Sequence, residues 1–201
     1  EYDERKSIVV SRKYNSAGFR DITIVKSKDG RLTDESLLIA SCSGFGVVQV
    51  PLLDLVQNDR VMVTDSSHKS LILKDNGESL DHFRLKERNG VVYISRGSQL
   101  YAVDYSSSLH LEDALNMKDP LTTVQSVITA IDVDVQGRVY IGTHNGEILR
   151  DNNVLFRTPT PILHLQTGSF EGREGFYFTG SVPHSSTAVY FTDLKSEAEV
   201  I

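Results

Sequence analysis

The sequence holds a single cysteine, Cys42, and no tryptophan. One thiol excludes an intrachain disulfide, and no asparagine stands in an N-x-Ser/Thr context. Both absences point to a reducing compartment, cytoplasm or nucleus. Long apolar runs are missing too. The longest, Ser7-Ile-Val-Val, Ser36-Leu-Leu-Ile-Ala and Gly46-Val-Val-Gln-Val, fall far short of the ~20 residues a transmembrane helix needs, and the mean hydropathy is −0.21. No membrane span is expected. The opening residues, EYDERKS, are charged and mixed in sign, unlike a secretory signal or a transit peptide.

An excess of basic charge is lacking as well. Lys and Arg number 21 against 27 Asp and Glu, a net charge of −6. A phosphate backbone is held through clustered Lys and Arg, and no cluster occurs, so direct nucleic-acid binding is not expected. Six histidines (His68, His82, His110, His144, His164, His184) are scattered without metal-ligand spacing. There is no HExxH, no CxxC and no G-x-S-x-G elbow. Gly44-Phe45-Gly46 is a lone G-x-G between strands, with no helix after it to hold a phosphate. Ser41-Cys42-Ser43-Gly44 reads as small-residue strand packing with an inert thiol. His144 lies in the turn Thr143-His144-Asn145-Gly146. No metal, cofactor or catalytic residue is expected.

What is present is a repeat. The 201 residues, 39% hydrophobic, suffice for the core of one domain or at most two. Four segments share one grammar: an apolar strand, a turn closed by glycine, a second strand, a short turn and a third strand. They cover residues 19–55, 81–107, 128–152 and 162–194, with the first turns closed at Gly30, Gly90, Gly137 and Gly175. These glycines are spaced by 60, 47 and 38 residues, which fits the ~40–45 residues of a four-stranded propeller blade with insertions in the earlier copies. KDG, RNG, QG and THNG place glycine where tight hairpins need positive φ. The strands are rich in Val, Ile, Tyr and Phe. VVYIS, VYIG and FYFTG are apolar almost throughout, as strands covered on both faces are, and a helical period does not fit them.

This grammar resembles β-propeller repeats of the WD-repeat type in degenerate form. SLLIASCSGFG is similar to their second strand and AVYFTDL to their third, with Thr192-Asp193 where the family has Trp-Asp. The resemblance implies an all-β propeller of about four blades, either a small closed ring or part of a larger propeller, with residues 1–201 as one domain or a fragment of one. Arg60-Val-Met-Val-Thr and Asn153-Val-Leu-Phe-Arg are expected as outer, fourth strands, and Ser7-Ile-Val-Val-Ser-Arg as the outer strand of a preceding blade. The last copy is read as ending on its third strand.

Residues 106–125 break the pattern. Ser108 as cap, Glu112 and Asp113 in the first turn and Pro120 beyond the end predict a short helix over 109–117. Leu109, Leu111, Leu115 and Met117 on it are the candidate partner-binding residues, on a loop carried by a rigid scaffold. The candidate chemistry is a carboxylate pair. Asp132 and Asp134 alternate with Ile131, Val133 and Val135, so both point to one face of an inner strand. They serve either as structural acids paired with Arg, Ser or Thr groups of a neighbouring blade, or as ligands over a channel. The chain is accordingly expected to be a non-catalytic protein–protein interaction scaffold in a larger assembly. Its partner is another protein chain, one that completes the propeller if the four blades leave an open arc. The alternatives are a metal-dependent propeller hydrolase or lactonase using the inner-strand acids, and a peptide- or ligand-binding propeller reading its target with Arg and Tyr.

Overall fold

A computed structural model describes residues 7–11, 19–26, 31–33, 36–42, 46–57, 60–64, 71–74, 83–104, 119–180, 188–194 and 199–201. The described chain opens with β1 (Ser7–Ser11), β2 (Phe19–Val25), β3 (Leu37–Cys42), β4 (Gly46–Pro51), the short helix α1 (Leu52–Gln57), β5 (Arg60–Thr64) and β6 (Leu71–Lys74). It continues with β7 (Leu85–Arg88), β8 (Val91–Arg96), β9 (Gln99–Asp104) and β10 (Thr122–Thr123). A third group is β11 (Ile128–Val133), β12 (Val139–Thr143), β13 (Glu147–Arg150) and β14 (Asn153–Arg157). The last is β15 (Ile162–Phe170), β16 (Arg173–Gly180), β17 (Ala188–Thr192) and β18 (Glu199–Val200).

These strands form four four-stranded sheets, ordered β2-β3-β4-β6, β7-β8-β9-β10, β11-β12-β13-β14 and β15-β16-β17-β18. The chain is all-β, and each sheet is a propeller blade. It divides into two compact units, residues 1–94 with 102–119, and residues 95–101 with 120–201.

The turns follow from local chemistry. Asn89–Gly90 (φ 52° and 80°), Asp151–Asn152 (51° and 62°) and Glu171–Gly172 (52° and 78°) have both central residues left-handed, the type I′ geometry whose twist suits a two-residue hairpin. The β11–β12 hairpin is longer. Gly137 N–H donates to the Asp134 carbonyl at 3.0 Å and Gly137 takes φ 79°, a type I turn closed by a left-handed glycine. Gly146, at φ 79°, closes the next turn in the same way on Thr143. In the fourth blade the turn closes at Gly172, not at the expected Gly175. Gly175 lies inside β16, where a Cβ would stand 2.2 Å from the Thr192 carbonyl oxygen. It is a close-approach glycine rather than a turn glycine.

Each unit has its own core. In the first, Val25, Ile39 and Val47 of one blade meet Phe83, Leu85, Val92, Ile94 and Val103 of the next. In the second, Ala130, Tyr140 and Ile148 pack on Ile162, Leu165, Phe176 and Phe178, with Tyr140 edge-on to Phe176 at 4.8 Å and Phe178 stacked on Tyr190 at 5.3 Å. All six residues of β11 are buried, as expected of a strand covered on both faces. The Phe176-Tyr177-Phe178 run instead alternates, with the two phenylalanines buried and Tyr177 half-buried, its hydroxyl donating to the Ser169 carbonyl at 2.5 Å.

The three-strand grammar of all four copies is present, and so is the fourth strand over Asn153–Arg157. Other outer strands differ from expectation. Arg60–Thr64 pairs in parallel with Ser7–Ser11 in a separate two-stranded sheet, so neither segment is an outer blade strand, and Leu71–Lys74 takes that place. Just upstream, β4 ends at Pro51 and Leu52–Gln57 is helical rather than extended, a segment about 9 Å long that replaces a tight hairpin between β4 and Arg60–Thr64. The fourth blade does not end on its third strand, because Tyr190 pairs with Val200 and Phe191 with Glu199. The helix expected over 109–117 lies outside the described residues.

Candidate functional site

The site is built on β11 and the hairpin that follows it. Strand alternation sets Asp132 and Asp134 on one side, and both are buried, 3% and 8% exposed. Buried carboxylates need donors, and each has found its own. Asp132 Oδ2 accepts the Thr167 N–H at 2.6 Å and the Thr167 hydroxyl at 2.8 Å, both from β15 of the following blade. Asp134 is held within its hairpin. Its Oδ1 accepts the backbone N–H groups of Gln136 and Arg138, each at 2.9 Å. Its Oδ2 accepts Arg138 Nε–H at 2.6 Å and the Tyr140 hydroxyl at 3.2 Å.

Burial by itself would raise the Asp134 pKa. The Arg138 side chain, the two backbone N–H groups and the Arg138 charge outweigh it and hold the carboxyl below its ordinary value. The same bond raises the Arg138 pKa. In the first unit, burial pushes the Arg84 guanidinium down, with Asp21 opposing and Arg20 adding to the shift.

The alternation therefore placed the two acids correctly, but the arrangement gives them separate duties. One ties two blades, and the other shapes a turn. The residues that complete the arrangement, Thr167, Arg138 and Tyr140, were not singled out by sequence. Arg138 and Tyr140 carried a signal, a base and a phenol at short spacing after Asp134 across a glycine turn. Thr167 carried none, lying 35 residues from Asp132. Asp21, in the first strand of the first blade, was also missed. Its Oδ2 accepts the Leu85 N–H at 3.0 Å, and FRDITIV has the same acid-among-apolars pattern as ITAIDV.

Of the other sequence candidates, His144 is exposed in the β12–β13 turn, its N–H donating to the Val127 carbonyl at 2.9 Å. His164 is exposed on β15. Ser41 is buried and Cys42 ends β3. Among the described residues no three His, Cys, Asp or Glu side chains gather as a metal site, and no helix is long and apolar enough to cross a membrane. Leu109, Leu111, Leu115 and Met117 lie outside the described residues.

No curated protein matches the chain in sequence. A family model described as strictosidine synthase-like, N-terminal, matches residues 130–150, from β11 to the end of β13. That family is a β-propeller family, and the match falls on three successive strands of one blade. Among solved structures, the chain is similar to the extracellular domain of BT4673 from B. thetaiotaomicron, described as a one-component system. The TM-score is 0.51 at 13% identity, over 96% of this chain and 25% of that one. It is also similar to BBS1N, solved in complex with ARL6DN, at a TM-score of 0.49 and 11% identity, over 92% of this chain and 52% of that one. The chain thus spans a quarter of the first structure's length and about half of the second's. At such identity the likeness to BT4673 is one of fold, and it agrees with an all-β propeller.

Proposed function

We propose that the chain is a non-catalytic interaction scaffold, built of degenerate WD-type blades and working inside the cell as part of a larger protein assembly. The observation that carries this reading is how Asp132 and Asp134 are used. They were the strongest candidates for catalytic acids, yet Asp132 holds Thr167 of the next blade and Asp134 holds its own hairpin. A carboxylate pair that served a metal would keep oxygens directed at a shared open position. The single cysteine and the absence of glycosylation sequons support the cytoplasm or nucleus.

The test is to purify the protein from its native source and weigh what comes with it. A stoichiometric complex with another polypeptide, unchanged in composition when Asp132 is replaced by Asn, is the expected result. A protein that purifies alone with one equivalent of divalent metal, lost in Asp132→Asn, overturns the scaffold reading. That result favours the metal-dependent hydrolase that uses the inner-strand acids.

A further inference from the structure

The first strand of every blade, β2, β7, β11 and β15, is an edge strand of its sheet. Main-chain groups on an unpaired edge need a partner or protection, or they template pairing with another chain. Within each unit, one carboxylate supplies the partner. Asp21 on β2 accepts the Leu85 N–H of β7 at 3.0 Å, and Asp132 on β11 accepts the Thr167 N–H of β15 at 2.6 Å. Thr129 adds to the second pair by donating its hydroxyl to the Ile162 carbonyl of β15.

The two sites obey one geometry. Asp21 directly follows a bulge in β2, between Phe19 and Asp21, as Ala130 follows one in β11, between Ile128 and Ala130. Leu85 pairs with Ile94 and Leu165 with Phe178, and each of these leucines is buried in its unit's core. Asp21 reaching Leu85 therefore corresponds to position 130 reaching position 165. Asp132 reaching Thr167 is the same relation moved two residues along both strands. A two-residue step keeps a side chain on the same face of a strand.

We infer that Asp21 and Asp132 are one inter-blade latch used twice: a carboxylate on the first strand of one blade that occupies an open-edge amide on the first strand of the next, setting the register between the sheets and closing that edge to an incoming strand. The position along the strand is free to move by one pleat, which explains why the two acids do not align in sequence although their partners shift with them.

Amide hydrogen exchange on the full chain tests the latch. In Asp132→Ala the Thr167 amide should exchange at least about tenfold faster while the Leu85 amide keeps its rate. In Asp21→Ala the pattern should reverse. Asp132→Asn keeps a carbonyl acceptor and should restore most of the Thr167 protection. Sedimentation of Asp132→Ala should show concentration-dependent association beyond that of the unsubstituted chain. If Asp132→Ala does not fold, Asp21→Ala and Asp132→Asn carry the test. Unchanged exchange at the latched amide in an alanine variant, or uniform speeding of amides in both units, overturns the latch. So does Thr167 exchange in Asp132→Asn as fast as in Asp132→Ala. Sedimentation identical to the unsubstituted chain overturns the edge-closing role.

Discussion

At the scale of single residues, two glycines with nearly the same backbone separate conformational need from packing need. Gly137 and Gly146 both sit at φ 79°, but a Cβ on Gly137 meets nothing within 4 Å. On Gly146 it would stand 2.1 Å from the Thr158 carbonyl oxygen and 2.6 Å from that of Thr160. Gly137→Ala therefore carries only the left-handed penalty, ~1 kcal/mol. Gly146→Ala adds a collision with two backbone oxygens and the loss of the close Thr158 N–H to Gly146 carbonyl bond of 2.8 Å, and should cost ~3 kcal/mol or more. Urea denaturation of the two variants side by side measures the difference. Asp134 adds a pH signature. Its folded pKa lies below the unfolded value of about 3.9, so its bonds add stability above that pH and lose it as pH falls through the folded pKa. Asp134→Asn should be less stable than the unsubstituted chain at pH 7, and the gap should shrink as the pH falls below about 4. Urea midpoints at both pH values check the sign.

At the scale of elements, stability in the second unit rests on facing blade surfaces rather than on any one strand. Phe178 is 2% exposed, stacks on Tyr190 and lies 5.7 Å from Phe156, so it joins β14, β16 and β17. Phe178→Ala should cost ~3–5 kcal/mol in denaturation, with faster exchange through β15–β17. The elements differ in how far they could be read in advance. Strands such as Val91–Arg96 and Val139–Thr143 announce themselves by β-branched and aromatic runs ended by turn residues, a purely local signal. The outer strands Thr122–Thr123 and Glu199–Val200 are two residues long and carry no pattern. They are strands only because a third strand lies beside them. The Ser7–Ser11 and Arg60–Thr64 pair is non-local in the same sense, since a parallel partner is never set by a hairpin.

At the scale of the whole molecule, the net charge of −6 and a pI near 5.5 set what the surface attracts. Fluorescence anisotropy with duplex DNA at physiological salt should give a Kd weaker than about 100 μM. Binding tighter than that would reveal a basic stripe that composition hides. The architecture of four blades was legible because it repeats: one grammar of strand, glycine turn, strand, turn and strand recurs near blade length, and turn chemistry is written in adjacent residues. The duties of the candidate acids were legible only in part. Alternation along Ile131–Val135 determined that Asp132 and Asp134 share a side, because pleating is a property of the strand itself. That Asp132 holds Thr167, that Asp21 holds Leu85, and that Arg60–Thr64 leaves its blade for Ser7–Ser11 depended on tertiary structure alone. Those partners meet only after separate sheets have packed, and no short-range preference of the chain encodes which amide a buried carboxylate will then find.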